Sequence, residues 1–171
     1  MEKKHTGDSN LKIELLLYLV TYPTIYKMPT IKADEEVYYT KENVSLKEYK
    51  IHAYVYDLHI VNIPKIIHYD KKTKQMKMVK VGTMNVSDFH GEKATDISKE
   101  LFAQIRAVIQ TLYDHNILYI DITGYNFIEC ENKLWIIDFE HASHIFPTQI
   151  IKNTFVEKFL NGFNGWNPEF A

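Results

Sequence analysis

Residues 117–140, Ile-Leu-Tyr-Ile-Asp-Ile-Thr-Gly-Tyr-Asn-Phe-Ile-Glu-Cys-Glu-Asn-Lys-Leu-Trp-Ile-Ile-Asp-Phe-Glu, constrain the fold more than any other stretch of the chain. Two carboxylates, Asp121 and Asp138, each close an apolar run, and Asn126 follows the first of them by five positions. The intervening Thr-Gly-Tyr reads as a turn. Strand-length hydrophobic runs at 126–129 and 133–137 flank Glu131-Asn132 and predict a hairpin. Such a hairpin returns Asp138 to the side of Asn126, so an acid, an amide and a second acid converge. A plain hairpin with Asp and Asn in surface turns accounts for each piece singly but less well for the ordered set.

That convergence suits phosphoryl transfer, where one carboxylate sits near the attacking hydroxyl while another and an amide oxygen hold Mg²⁺ against phosphates. The order D-x-x-x-x-N, short hairpin, hydrophobic-D-F resembles the catalytic and metal-binding loops of the eukaryotic-like protein kinases. The resemblance implies ATP as donor, Asp121 as catalytic base, Asn126 as a metal ligand, and Asp138 as the principal Mg²⁺ ligand with Phe139 packed beneath it. The chain departs from that family at Tyr119-Ile120, where His-Arg is usual, at Thr123, where Lys is usual, and at Glu140, where Gly is usual. Without the Arg, control by a phosphorylated activation loop is not expected. The Asp-Phe-Glu ending resembles that of choline- and ethanolamine-kinase-like proteins and keeps a small-molecule acceptor open.

Upstream, residues 11–21, 24–33 and 36–40 read as strands, although 15–19 could equally be helix. The run T-I-Y-K-M-P-T-I-K-A-D-E-E-V-Y-Y-T-K-E resembles the second and third strands of casein kinase I-type kinases. The resemblance places Lys41 at the lysine that holds the α- and β-phosphates and pairs with a helix glutamate. A helix is predicted from Ser45 to about His59, with Leu46, Tyr49, Ala53, Tyr56 and Ile60 at helical spacing. Glu48 is the candidate partner of Lys41, and Ser45-x-x-Glu48 is equally a capping box. No glycine occurs between Gly7 and Gly82, and Tyr18, Val20 and Pro23 fall where a phosphate-covering loop would carry glycines. The nucleotide lid is therefore expected to be missing or rebuilt. Residues 63–69 and 75–81 read as a strand pair around the turn 70–74 and resemble the fourth and fifth kinase strands. On that resemblance Met78 backs the adenine pocket and Val79, Val81 and their neighbours to Gly82 form the backbone hinge. Plain core packing of Met78 is compatible with that role.

A short helix is expected at 87–91, then a longer one capped by Thr95 or Asp96. Leu101, Ile105, Val108, Ile109 and Leu112 form its apolar face, with Lys99, Glu100, Gln104 and Arg106 outside. Beyond Asp138, His141 and His144 lack a third metal ligand. Residues 150–160 read as helix with Phe155 and Phe159 on one face, and Asn167-Pro168-Glu169 as a terminal turn. The expected fold class is α+β and protein-kinase-like. It comprises a mobile tail at 1–10, a small antiparallel β amino-terminal lobe at 11–81, and a truncated, mainly helical carboxyl-terminal lobe at 82–171. In that reduction it is similar to the tRNA-modification-complex kinases.

The net charge of -2 argues against a nucleic-acid partner, because lysines 71, 72, 74, 77 and 80 fall in a turn and on the solvent face of a strand. The single Cys130 excludes an intrachain disulfide and suits a reducing compartment. The apolar run 11–20 is interrupted by Lys12 and Glu14 and is too short to span a bilayer. No membrane partner and an intracellular, cytoplasmic location are expected, in the host cytoplasm if the Ile-, Lys-, Asn- and Tyr-rich chain is viral. The expected function is that of a minimal atypical kinase transferring the ATP γ-phosphoryl group, with Mg²⁺, to a protein Ser/Thr hydroxyl. Its partner would be a protein substrate or another kinase, and a homodimer could cover apolar surface. A pseudokinase acting as an interaction module and a choline-kinase-like small-molecule phosphotransferase are the alternatives.

Overall fold

The computed structural model describes residues 38–145 and 153–170. The expected tail at 1–10, the strands at 11–21 and 24–33, and the lid positions Tyr18, Val20 and Pro23 lie outside the described residues. The described part is α+β, with an antiparallel sheet followed by helices and short hairpins.

Three strands, β1 (Tyr38–Lys41), β2 (Ile66–Asp70) and β3 (Gln75–Val79), pair antiparallel in the order β1-β3-β2. The register sets Tyr38 opposite Val79 and Lys41 opposite Met76. β3 alternates strictly, with Met76 and Met78 buried and Gln75 and Lys77 exposed, as a one-sided sheet requires. The two methionines pack with Val44 under a stacked Tyr49–Tyr69 pair whose ring centroids are 4.3 Å apart. The turn between β2 and β3 closes because Asp70 Oδ1 accepts from the Lys72 and Thr73 amides.

Helix α1 (Leu46–Leu58) is capped by Ser45, whose Oγ accepts from the Glu48 amide at 3.0 Å. Its buried residues are Glu48, Ile51, His52 and Val55. This i, i+3, i+4, i+7 stripe corrects the expected face, since Leu46 is exposed. The cause is chemical. Two of the four inward positions are polar and find specific partners, so hydrophobic periodicity displaces the stripe toward Tyr49, Tyr56 and Ile60, which pack only partly buried against the cores.

Helix α2 (Val86–His90) and a 3₁₀ turn at Ala94–Asp96 lead to α3 (Lys99–Asp114). The cap of α3 is Ser98, whose Oγ accepts from the Leu101 amide, rather than Thr95 or Asp96. Leu101, Phe102, Ile105, Ile109 and Leu112 are its buried residues. Arg106 does not stay outside. Its Nε donates to the Phe159 carbonyl at 2.6 Å and its Nη2 to the Phe163 carbonyl and Asn164 Oδ1, tying α3 to the last segment. That segment begins with α4 (Thr154–Leu160), on which Phe159 is buried and Phe155 stacks beside it; the first residues of the helix expected at 150–160 lie outside the described part.

Between α3 and α4 come β4 (Ile117–Leu118), β5 (Phe127–Cys130), β6 (Lys133–Ile136) and β7 (Ser143–His144). β4 pairs with β7, and β5 with β6. Glu131 and Asn132 both take positive φ, 52° and 59°, as a two-residue hairpin turn with right-handed strand twist demands. Asn62 links this hairpin to the chain preceding β2: its carbonyl accepts from the Ile136 amide and its Nδ2 donates to the Leu134 carbonyl. The expected division at 81/82 falls in the connector between β3 and α2.

Candidate active site

Lys41 ends β1, Glu48 lies in the first turn of α1, and Asp138 follows β6. Lys41 Nζ donates to Glu48 Oε1 at 2.6 Å and to Asp138 Oδ2 at 2.7 Å. Ser45 satisfies the Glu48 amide as a helix cap, which leaves the Glu48 carboxylate for Lys41. Burial works against the Lys41 charge, but the hydrogen bonds and charges of Asp138 and Glu48 outweigh it and hold the ammonium above its ordinary pKa. Glu48 is pushed up, chiefly by burial and further by the charges of Asp138 and Glu140, against the pull of Lys41. One cation shared by two carboxylates leaves an excess negative charge, which falls hardest on the more buried acid.

Asp121 sits in the loop after β4. Asn126 Nδ2 donates to the Asp121 carbonyl at 3.0 Å, and Thr123 Oγ1 donates to Asp121 Oδ1 at 3.2 Å. The Asn126 carbonyl accepts from the Ile137 amide, which brings the residue before Asp138 against Asn126. Burial raises the Asp121 pKa, opposed by hydrogen bonds from Asn126 and Thr123 and by the His141 charge, while the Asp138 charge adds to the rise. Phe139 is fully buried between His52 and Tyr119, with ring centroids at 5.3 and 5.8 Å. His52 Nε2–H donates to the Pro64 carbonyl at 2.7 Å, and burial lowers its pKa. The stack carries the backbone of Asp138 on a rigid apolar post that reaches from α1 to the Asp121 loop.

A cleft of about 250 Å³ opens beside these groups. Lys41 and Asp138 stand in its wall with Met78, Val79, Val81 and Gly82, so Lys41 and the expected adenine positions share one cavity. Met78 both lines the cleft and packs in the sheet core. Gly82 takes φ +56°, and a Cβ there would lie 2.7 Å from Ile128 Cγ2, so only glycine lets the connector lie so close to the hairpin. Sequence reasoning did not name Pro64, Ile128, Ile137 or Asp88 as lining residues. Ile128 and Ile137 had a signal, in that hairpin residues beside Asn126 and Asp138 must face the same cleft, whereas Pro64 had none. Asp88, on α2, had none.

His141 and His144 diverge, the first packing on Phe170 and the second on Tyr54. Among the described residues no group of three His, Cys, Asp or Glu could hold a metal ion. The donors near Asp138 are instead hard oxygens, a carboxylate and the amide of Asn126, whose Nδ2 is already used on the Asp121 carbonyl. That set fits Mg²⁺, which binds few protein oxygens and takes the rest of its shell from phosphates and water. Among the described residues no helix is long and apolar enough to cross a membrane.

No curated protein sequence matches the chain. Among solved structures the chain is similar in fold to the Cydia pomonella granulovirus kinase PK-1, with a TM-score of 0.51 at 14% identity. The match covers 71% of this chain and 48% of that one, so the chain spans about half the length of that kinase. Residues 25–146, well over half of the chain, match the RIO domain. The chain belongs to the RIO-domain family of atypical protein kinases and carries its protein-kinase-like fold.

Proposed function

We propose that the protein transfers the γ-phosphoryl group of ATP to a Ser or Thr hydroxyl of a protein. The observation that supports this most is the Lys41 bridge between Glu48 and Asp138 at the wall of the cleft lined by Met78, Val79 and Val81. In this reading adenine lies along the connector 79–82, and Lys41 meets the α- and β-phosphates. Asn126 and Asp138 would hold Mg²⁺, which neutralises charge developing on the phosphate oxygens. Asp121 orients the acceptor hydroxyl and takes its proton as the new oxygen–phosphorus bond forms and the bond to ADP breaks.

A second reading, an interaction module with impaired catalysis, is favoured by the state of Asp138. Both of its carboxylate oxygens are engaged, Oδ2 by Lys41 and Oδ1 by the Glu140 amide at 2.8 Å. A metal must share Asp138 with both. The small-molecule alternative has Glu140 in its favour, which lies outside the cleft wall, and no residue of the cleft.

The test is incubation of the protein with γ-labelled ATP and Mg²⁺, alone and with a generic Ser/Thr protein substrate, followed by phosphoamino-acid analysis. Label on Ser or Thr is expected. Asp121→Asn should lower transfer by about 10²- to 10⁴-fold while nucleotide binding persists. Transfer retained by that variant would remove Asp121 from the role, and no label with wild type would favour the interaction module.

A further inference from the structure

We infer that Asn167 is a positioning residue for Asp121. The inference takes its catalytic consequence from the reading above, but its geometry stands apart from it. Asn167 is 1% exposed. Its Nδ2 donates to the Ile120 carbonyl at 2.7 Å, and its backbone N–H donates to the Ile122 carbonyl at 2.9 Å. These are the carbonyls of the two residues that flank Asp121 in the chain. The remaining side-chain atom, Oδ1, accepts from the Glu169 amide at 3.2 Å, so the turn at 167–169 holds the amide group in place. The expected terminal turn is thus formed, but it is docked on the Asp121 loop from 47 positions away.

The loop needs such support. Within it the Ile122 amide bonds to the Ile120 carbonyl and the Thr123 amide to the Asp121 carbonyl, two-residue closures outside any helix or strand ladder. Rotation of the backbone beside Asp121 would swing its carboxylate. Asn167 holds the flanking carbonyls. Its own segment is anchored in turn: Trp166 packs on Phe102 of α3 with centroids 4.8 Å apart, and Arg106 holds the carbonyls of Phe159 and Phe163. Trp166 also lies against Gly124 of the same loop, where a Cβ would sit 3.1 Å from its ring. A buried amide is costly unless each end is bonded, and an apolar side chain would fill the same space. What the asparagine adds is a donor directed at one carbonyl of the loop.

Asp121 acts as a base only within hydrogen-bond reach of the acceptor hydroxyl, and a displacement of about 1 Å can cost about 10²-fold in rate. Asn167→Asp keeps the shape and replaces the donor by a second acceptor, and Asn167→Ser serves if the first variant does not fold. Amide hydrogen exchange is read first. Faster exchange is expected at residues 120–126, with α1 and the three-stranded sheet unchanged. Unchanged exchange at 120–126 would overturn the inference. Transfer kinetics are read second. The expected result is a kcat lower by about 10- to 100-fold with the KM for ATP unchanged, and no further loss when the substitution is added to Asp121→Asn. A loss carried in full onto the Asp121→Asn background would assign Asn167 a general structural role and overturn the inference. If wild type transfers no phosphoryl group, the kinase reading falls, and the exchange result alone decides whether Asn167 holds the loop.

Discussion

At the scale of single residues, the site is a contest between burial and a few short hydrogen bonds. Glu48 is 2% exposed and has Lys41 as its counter-ion. Lys41→Met should therefore leave two carboxylates facing each other and destabilise the fold by about 3 kcal/mol, because a buried charge loses its partner. Adding Glu48→Gln should recover most of that loss. Urea midpoints of the three proteins check this, and a double variant no more stable than Lys41→Met would refute the account. Asp121 supplies a pH prediction. In the proposed transfer Asp121 is the base and must be ionised, and burial raises its pKa, so the acid limb of kcat/KM should lie above the ordinary aspartate range. Thr123→Val removes a hydrogen bond that favours the charged form, and the limb should move further up. A pH–rate profile in which the limb moves down would reverse the assigned cause.

Secondary-structure elements add constraints that no residue carries alone. Helix α1 presents Glu48 to Lys41 and, one turn later, His52 to Phe139, so the ion pair and the apolar post share one rigid rod. His52 is fully buried with its pKa lowered, first by burial. The unfolded chain takes up a proton on this histidine below about pH 6.5 while the folded chain resists it. Stability from this source is therefore complete above the unfolded pKa and is lost as pH falls toward the folded one. The slope is at most about 1.4 kcal/mol per pH unit. His52→Leu should flatten the fall in urea midpoint between neutral and mildly acidic pH, and an unchanged slope would place the titrating group elsewhere. Glycine and hairpin geometry act at the same scale. Gly82 lets the connector cross close to Ile128, and the Glu131-Asn132 turn sets the register that returns Asp138 to Asn126.

For the whole molecule, the cleft wall is assembled from the sheet, the connector to α2, and the β5–β6 hairpin with Asp138 after it, so nucleotide binding should stabilise the fold as a unit. At about a hundred times its dissociation constant, ATP with Mg²⁺ should add about 2.7 kcal/mol, a rise of roughly 5–10 °C in Tm. Asp138→Ala should abolish the Mg²⁺-dependent part of that rise, and a full rise in the variant would remove Asp138 from the metal site. Much of this arrangement was legible in the chain. The spacing from Asp121 through Asn126 to Asp138 and the hairpin between them rest on local signals, turn residues and strand-length apolar runs, whereas Lys41 and Glu48 came from the resemblance to kinase strands and helix. The buried face of α1 was not legible, because two of its four inward positions, Glu48 and His52, are polar groups whose partners lie on β1 and before β2. Nor was the docking of Asn167 on Ile120 and Ile122, or the capture of the last segment by Arg106. The sequence by itself determined which elements form and which acids and amide could meet, since those depend on neighbours along the chain. Only the tertiary structure decided which polar groups are buried and what they bond, because that depends on contacts between residues distant in sequence.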